Sequence, residues 1–174
     1  MLTFTPLGDA AFRLSGPQKD LIVFPAKTGT KDAITMLPVP EEVATPGTIS
    51  WPGEYNVAGV SIRGVGHGDG QQVSFVVEVD NVRMAFISAP LQEWTDKQME
   101  LVGDIDVIVA PAVDAKQMQK IVDDFDPRIV LLLPTKDKDA LAAISKSIGA
   151  KETMGEYKLK GSLPAEGREV IVLA

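Results

Sequence analysis

The chain contains no cysteine and a single histidine among its 174 residues. Without cysteine there is no disulfide, no thiolate metal ligand and no sulfur nucleophile, and cysteine usage says nothing about the compartment. A catalytic zinc takes about three protein ligands, mostly imidazole, thiolate or carboxylate, and one histidine supplies little of that set. A Ser-His-Asp triad is equally short of material, and no serine lies in a G-x-S-x-G context. Basic residues are outnumbered: 17 Lys and Arg stand against 24 Asp and Glu, a net charge of −7. Binding to a phosphate backbone needs clustered cations that displace counterions, so the charge argues against nucleic acid as a partner. Long apolar runs are missing too. Nowhere do the roughly 18 uninterrupted apolar residues of a membrane span occur, and the start M-L-T-F-T-P-L-G-D has neither a basic region nor an apolar core. The expectation is a cytoplasmic protein with no membrane partner.

What the chain does have is 45 % hydrophobic residues. At this length that supports one domain, residues 1–174, hiding roughly 70 % of the surface its unfolded form exposes. The first third reads as a strand-rich meander: Leu2 to Thr5, Ala11 to Ser15, Leu21 to Phe24 and Ala33 to Leu37 are short apolar or alternating runs. Gly8-Asp9, Gly16-Pro17 and Thr28-Gly29-Thr30 between them are turn chemistry. Pro38, Pro40, Pro46 and Pro52 then predict an extended connection. Glu54 to Val57 and Val60 to Val65 form a hairpin across Ala58-Gly59, and Gly64, Gly66, Gly68 and Gly70 punctuate a loop after it. Val73 to Val79 and Val82 to Ile87 pair across Asp80-Asn81.

Beyond Ala89-Pro90 the period changes from two to about 3.6. Thr95 and Gln98 form a capping-box pattern for a short helix stopped by Gly103. Asp114 opens a second helix with Ala115, Met118, Ile121, Val122 and Phe125 on one face. Asp137 to Ile148 is a third, with Leu141, Ile144 and Ile148 inward. Val107 to Ala110 and Ile129 to Leu133 are buried strands between the helices, and Glu152 to Leu159 and Glu169 to Leu173 close the chain as strands. Hairpins come first; helices alternate with strands afterwards. No internal repeat or low-complexity tract occurs.

The run P-G-E-Y-N-V-A-G-V-S-I-R-G at Pro52 to Gly64 resembles the central hairpin of small bacterial proteins of the metallo-β-lactamase superfamily, zinc-dependent hydrolases of the β-lactamase fold. L-G-D-A-A-F-R-L, D-L-I-V-F-P-A, D-N-V-R-M-A-F-I, L-V-G-D-I-D-V-I-V-A-P, D-P-R-I-V-L-L-L-P and L-P-A-E-G-R-E-V-I-V-L extend the resemblance over nearly the whole chain. It implies an α/β (α+β) fold, a four-layer αββα sandwich reduced in size, with two mainly β sheets face to face and helices outside. It also implies a metal site that this chain departs from at every position. The family's H-x-H-x-D-H loop after an early strand has no counterpart, since Ala33 to Leu37 runs into Pro38-Val39-Pro40. Its Gly-Asp after the hairpin strand corresponds to Ser88-Ala89. Its late P-x-H-Y corresponds to Leu132 to Thr135, with Pro134 at about the histidine position, and an opening Gly-His corresponds to Gly8-Asp9.

The expectation is therefore a catalytically silent, metal-free relative of these hydrolases, without a cofactor, serving as a binding or assembly module for a protein or small-molecule partner. A homo-oligomer is a further reading. The alternative is a metal-dependent hydrolase built on a non-standard carboxylate and histidine site. Its candidates are Glu54, Tyr55 and His67, the last being the one group that titrates near neutrality. The glycines around His67 predict a mobile hairpin tip, and His67→Ala is expected to leave stability nearly unchanged. Tyr55 is expected to make a buried structural hydrogen bond. Asp104 and Asp106, and Asp123, Asp124 and Asp126, are oxygen donors for a hard cation or simply solvated charge. Trp51 and Trp94, if both exposed, would mark a protein interface.

Overall fold

The computed structural model describes residues 1–27 and 31–174; the Thr28-Gly29-Thr30 turn lies outside the described residues. Within them the order is β1 (Leu2–Gly8), β2 (Ala11–Ser15), β3 (Leu21–Val23), β4 (Ile34–Met36), β5 (Thr48–Ile49), β6 (Gly53–Val57), β7 (Val60–His67), β8 (Gln72–Val79), β9 (Val82–Phe86), α1 (Asp96–Val102), β10 (Val107–Pro111), α2 (Ala115–Phe125), β11 (Ile129–Leu133), α3 (Lys138–Ile148), β12 (Glu152–Met154), β13 (Tyr157–Leu159) and β14 (Glu169–Leu173).

The hairpins follow from turn chemistry. Asp80 and Asn81 sit at φ 53° and 60°, and Ala58 and Gly59 at 52° and 78°. Two successive positive φ values match the twist of antiparallel strands, so β8 and β9, and β6 and β7, close in two residues. The helices stop and start where local polar groups satisfy their ends. The capping box of Thr95 and Gln98 is formed in both directions, and Asp114 and Asp137 cap α2 and α3 through Gln117 N–H and Ala140 N–H.

The strands make two sheets. One is six-stranded, β13-β1-β2-β3-β4-β5; the other is eight-stranded, β12-β14-β11-β10-β9-β8-β7-β6. In the second, β9, β10, β11, β14 and β12 run parallel, and β10 and β11 are buried at every residue. Such strands are covered on both faces, which is why they read as unbroken apolar runs. The segment Glu152 to Leu159 is not one strand. Gly155-Glu156 breaks it into β12 and β13, which join different sheets.

Two apolar layers hold this together. Between the sheets lie Phe4, Phe12, Phe75, Phe86, Met36, Val109 and Leu131, with Phe12 edge-on to Phe86 at 5.0 Å. On the outer face of the eight-stranded sheet, Ile87, Ile108 and Val130 pack under Val102 of α1, Met118, Ile121 and Val122 of α2 and Ile144 of α3. All three helices therefore cover one sheet. The outer face of the six-stranded sheet carries no helix among the described residues, and Arg13 there is exposed. The expected α/β sandwich, reduced in size, is realised with all three helices on its eight-stranded sheet. The physical reason is visible in the connections: β1 to β2 turns back tightly, and the route from β4 to β6 is rich in proline.

Candidate functional site

The loops that end the parallel strands meet one edge of the sandwich. β1 and β2 turn back at Gly8 to Ala11, and the registers Phe12 to Val23 and Val23 to Met36 bring the ends of β3 and β4 to the same edge. Val73 N–H at the start of β8 donates to Pro38 O at 2.8 Å, tying the second sheet to the segment after β4. Leu133, Pro134 and Leu173, from the ends of β11 and β14, complete the edge. There they enclose, with Pro6, Ala10 and Ala11, a cavity of about 320 Å³.

Its lining is apolar. The loop position after β4 offers Leu37 and Pro38; the position after β9 offers Ser88, which is buried; Pro134 lines the cavity itself. The chemistry of a zinc site calls for several nitrogen, sulfur or carboxylate donors converging on one point. Of the strand-end residues compared with the family's ligands, only Asp9 carries a carboxylate. Among the described residues no three His, Cys, Asp or Glu are placed to hold an ion. The residues at this edge do not fit a metal.

His67 turns away from the cavity. Strand alternation sends Val60 and Ile62 between the sheets and Val65 toward the helices, and His67 follows Val65. The ring is 5 % exposed, and its Nε2 lies 3.2 Å from Ser74 Oγ. Trp94 meets it edge-on at 4.9 Å, and Phe125 meets Trp94 in the same way at 5.1 Å. Burial holds the imidazole pKa below its ordinary 6.5. The expected mobile tip is thus corrected: β7 runs through Gly64 and Gly66 to His67, and the turn lies at Gly68 to Gly70. Gly64 is glycine because the crossover between the sheets presses on it. A Cβ there would sit 2.7 Å from Trp51 O and 3.1 Å from Pro52 Cα.

The three candidates are not brought together. Glu54 is exposed and pairs with Arg63 across the hairpin. Tyr55 is half-buried; its hydroxyl donates to Trp51 O at 2.8 Å, and desolvation raises its pKa. That bond lies at an exposed position rather than a buried one. His67 stands four residues beyond Arg63 on β7, roughly 13 Å along the strand. Trp51 is 55 % exposed and Trp94 3 %, so the pair does not form a common exposed surface.

The acidic residues gather elsewhere. Asp104, Asp106 and Asp126 line an open cleft of about 670 Å³ with Arg128 and Arg168, where β10, β11 and β14 begin. Asp106 accepts from Arg83 N–H at 2.8 Å and Asp126 pairs with Arg168 at 2.6 Å. Asp123 accepts from Gln119, and Asp124 pairs with Lys120.

Sequence reasoning missed a buried polar network beside His67. Ser74 Oγ accepts from Ser88 N–H at 3.1 Å, and Gln72 Nε2 donates to Ser88 Oγ and to Pro90 O, each at 2.8 Å. Gln92 donates to Gln72 Oε1, and Gln117 to Gln92 O. Gln98 reaches back to Gly66 O at 3.0 Å. No local pattern announces these contacts, because they join residues up to 32 positions apart.

No family model matches the sequence, and no curated protein matches it. Solved structures do. A protein from Thermotoga maritima, described as a Zn-dependent hydrolase of the metallo-β-lactamase superfamily, aligns with a TM-score of 0.82 and 23 % identity over 99 % of this chain and 98 % of its own. Igni18, a metallo hydrolase from Ignicoccus hospitalis, aligns at 0.51 and 12 % identity over 75 % and 81 %. CmlA, a diiron β-hydroxylase from Streptomyces venezuelae, aligns at 0.53 and 10 % identity over 83 % of this chain and 46 % of its own. A TM-score of 0.82 over 99 % of this chain is a likeness of fold: this chain has the fold of the metallo-β-lactamase superfamily.

Proposed function

We propose that the chain is a metal-free, non-catalytic relative of the metallo-β-lactamase-fold hydrolases, working in the cytoplasm as one domain over residues 1–174. It acts as a binding or assembly module, and its receiving site is the apolar cavity at the strand ends. The observation that carries this reading is the composition of that edge. Where a hydrolytic centre needs convergent donors to lower the pKa of bound water, the edge offers Gly8, Leu37, Pro38, Leu133 and Pro134, with Asp9 as its one carboxylate. The one imidazole faces the helices, neutral and hydrogen-bonded. A pocket of this size with mostly apolar walls suits a small hydrophobic group, either of a small molecule or of a partner's side chain.

The test is elemental analysis of protein purified without chelator and without a histidine tag, repeated after incubation with Zn²⁺, Mn²⁺ and Mg²⁺. Near-zero stoichiometry throughout is the expected result. About one tightly held ion per chain would overturn the reading in favour of a metal-dependent hydrolase on a non-standard carboxylate and histidine site.

A further inference from the structure

The eight-stranded sheet ends on β6, whose ladder runs to β7 alone. The pairing is unbroken from Gly53 opposite Gly64 to Val57 opposite Val60, so no bulge twists the outer edge aside. Gly53, Glu54, Asn56 and Val57 are all exposed. The N–H and C=O groups on the outer side of this strand are a template for one more strand. Natural sheets blunt such edges with charged side chains, lysine above all, and with proline, bulges or very short strands. The other sheet ends are short, with two residues in β5 and three each in β12 and β13. β6 has five and carries neither proline nor lysine. Its one charge, Glu54, is already paired with Arg63.

We propose that β6 pairs antiparallel with β6 of a second copy of this chain, about a two-fold axis through Tyr55, joining two sheets into one. The contact is isologous, the same patch on both copies. A register centred on Tyr55 sets Glu54 opposite Asn56 at both ends, so each carboxylate meets an amide. A register centred on Glu54 instead sets two carboxylates against each other, which is destabilising. Charge therefore selects the register as well as permitting the contact. The same register sets Val57, 37 % exposed, opposite Gly53 of the other copy, two residues from the exposed Trp51. The inference stands on the sheet edge and is independent of the cavity at the strand ends.

The test is sedimentation velocity over roughly 1–300 μM, a range that brackets a small edge contact. A monomer–dimer equilibrium is expected. Asn56→Glu places Glu opposite Glu54 twice per dimer and should weaken association about tenfold, whereas Asn56→Lys places an opposite charge there and should tighten it severalfold. Position 56 is exposed, and an unchanged urea midpoint verifies that both variants fold. Hydrogen exchange should show amides of residues 53–57 gaining protection as concentration rises. A monomer throughout for both the native chain and the Lys variant overturns the proposal. So does a dimer that responds alike to both charges, or one in which the β6 amides stay unprotected.

Discussion

The sole imidazole offers an unusually clean stability experiment. His67 is buried against Trp94 and Ser74, neither of which carries charge, and its pKa is lowered by desolvation from the ordinary 6.5. Between the folded and unfolded values the unfolded chain holds more protons, so stability rises with pH through that window. The contribution is complete above the unfolded pKa and is lost as pH falls from there through the folded one. For one proton the slope is at most about 1.4 kcal/mol per pH unit, and carboxylates titrate lower, near about 4. Urea midpoints measured between about pH 5 and 8 should fall on acidification. His67→Gln, which does not titrate, should remove that dependence. The ring's C2 proton, a single resonance in this chain, should titrate below 6.5 in the native protein. His67→Ala should cost about 2–4 kcal/mol, as emptying a buried site of this size does, and not the negligible change that an exposed tip would give. A native titration at or above 6.5, or a pH slope surviving in the Gln variant, would refute the reasoning.

Gly64→Ala sets two effects of opposite sign against each other. Alanine in a strand is ordinarily favoured over glycine by about 0.5–1 kcal/mol, while forcing a methyl into a filled space costs about 1–3 kcal/mol. Because the nearest atoms are backbone, Trp51 O and Pro52 Cα, the variant should melt lower by several degrees; a stabilised variant would show that the crossover is not pressed on β7. Ile121→Ala in α2, with the side chain fully buried, should lose about 2–5 kcal/mol in urea unfolding. A negligible change would mean that α2 does not seal the helical layer. Gln72→Ala removes the side-chain donor to Pro90 O and one of the two side-chain partners of Ser88 Oγ, at about 0.5–1.5 kcal/mol for each bond lost. Faster hydrogen exchange should concentrate in residues 88–95, and uniform acceleration over the whole chain would count against a local fastening role.

Much of the architecture was legible because its signals are local. Asp80-Asn81 and Ala58-Gly59 announce their turns, Thr95 with Gln98 announces the cap, and the apolar runs at Val107 and Ile129 announce buried strands. Ile121 and Met118 fell on the inward face that the helical period assigns. The signals failed where a tertiary contact decides. Glycine at 64 and 66 reads as loop on propensity alone, but both sit in β7 under the crossover at Trp51 and Pro52. His67 reads as exposed by its neighbours and is buried by Trp94, 27 positions away. Gly155-Glu156 looks like an interruption and is in fact a change of sheet. At the candidate site, the residues at the strand ends could be read one by one. The apolar cavity could not, because its walls come from Pro6, Ala10, Pro134 and Leu173, distant in sequence and individually unremarkable.

Backbone hydrogen bonds fasten the strand-end loops to one another. Val73 N–H to Pro38 O at 2.8 Å joins the two sheets, Phe24 N–H to Met36 O at 2.9 Å joins the ends of β3 and β4, and Ala112 N–H to Leu133 O at 2.8 Å joins those of β10 and β11. Gln72, Ser74 and Ser88 then pin the segment after β9 from beneath, and Gln117 ties it to α2 through Gln92 O. Each such bond contributes about 0.5–1.5 kcal/mol, and a buried network is favourable only when every member is satisfied. The serines and glutamines around His67 meet that condition through one another and through the carbonyls of Gly66, Pro90 and Gln92, while the indole N–H of Trp94, edge-on to the same ring, has no partner among the described residues.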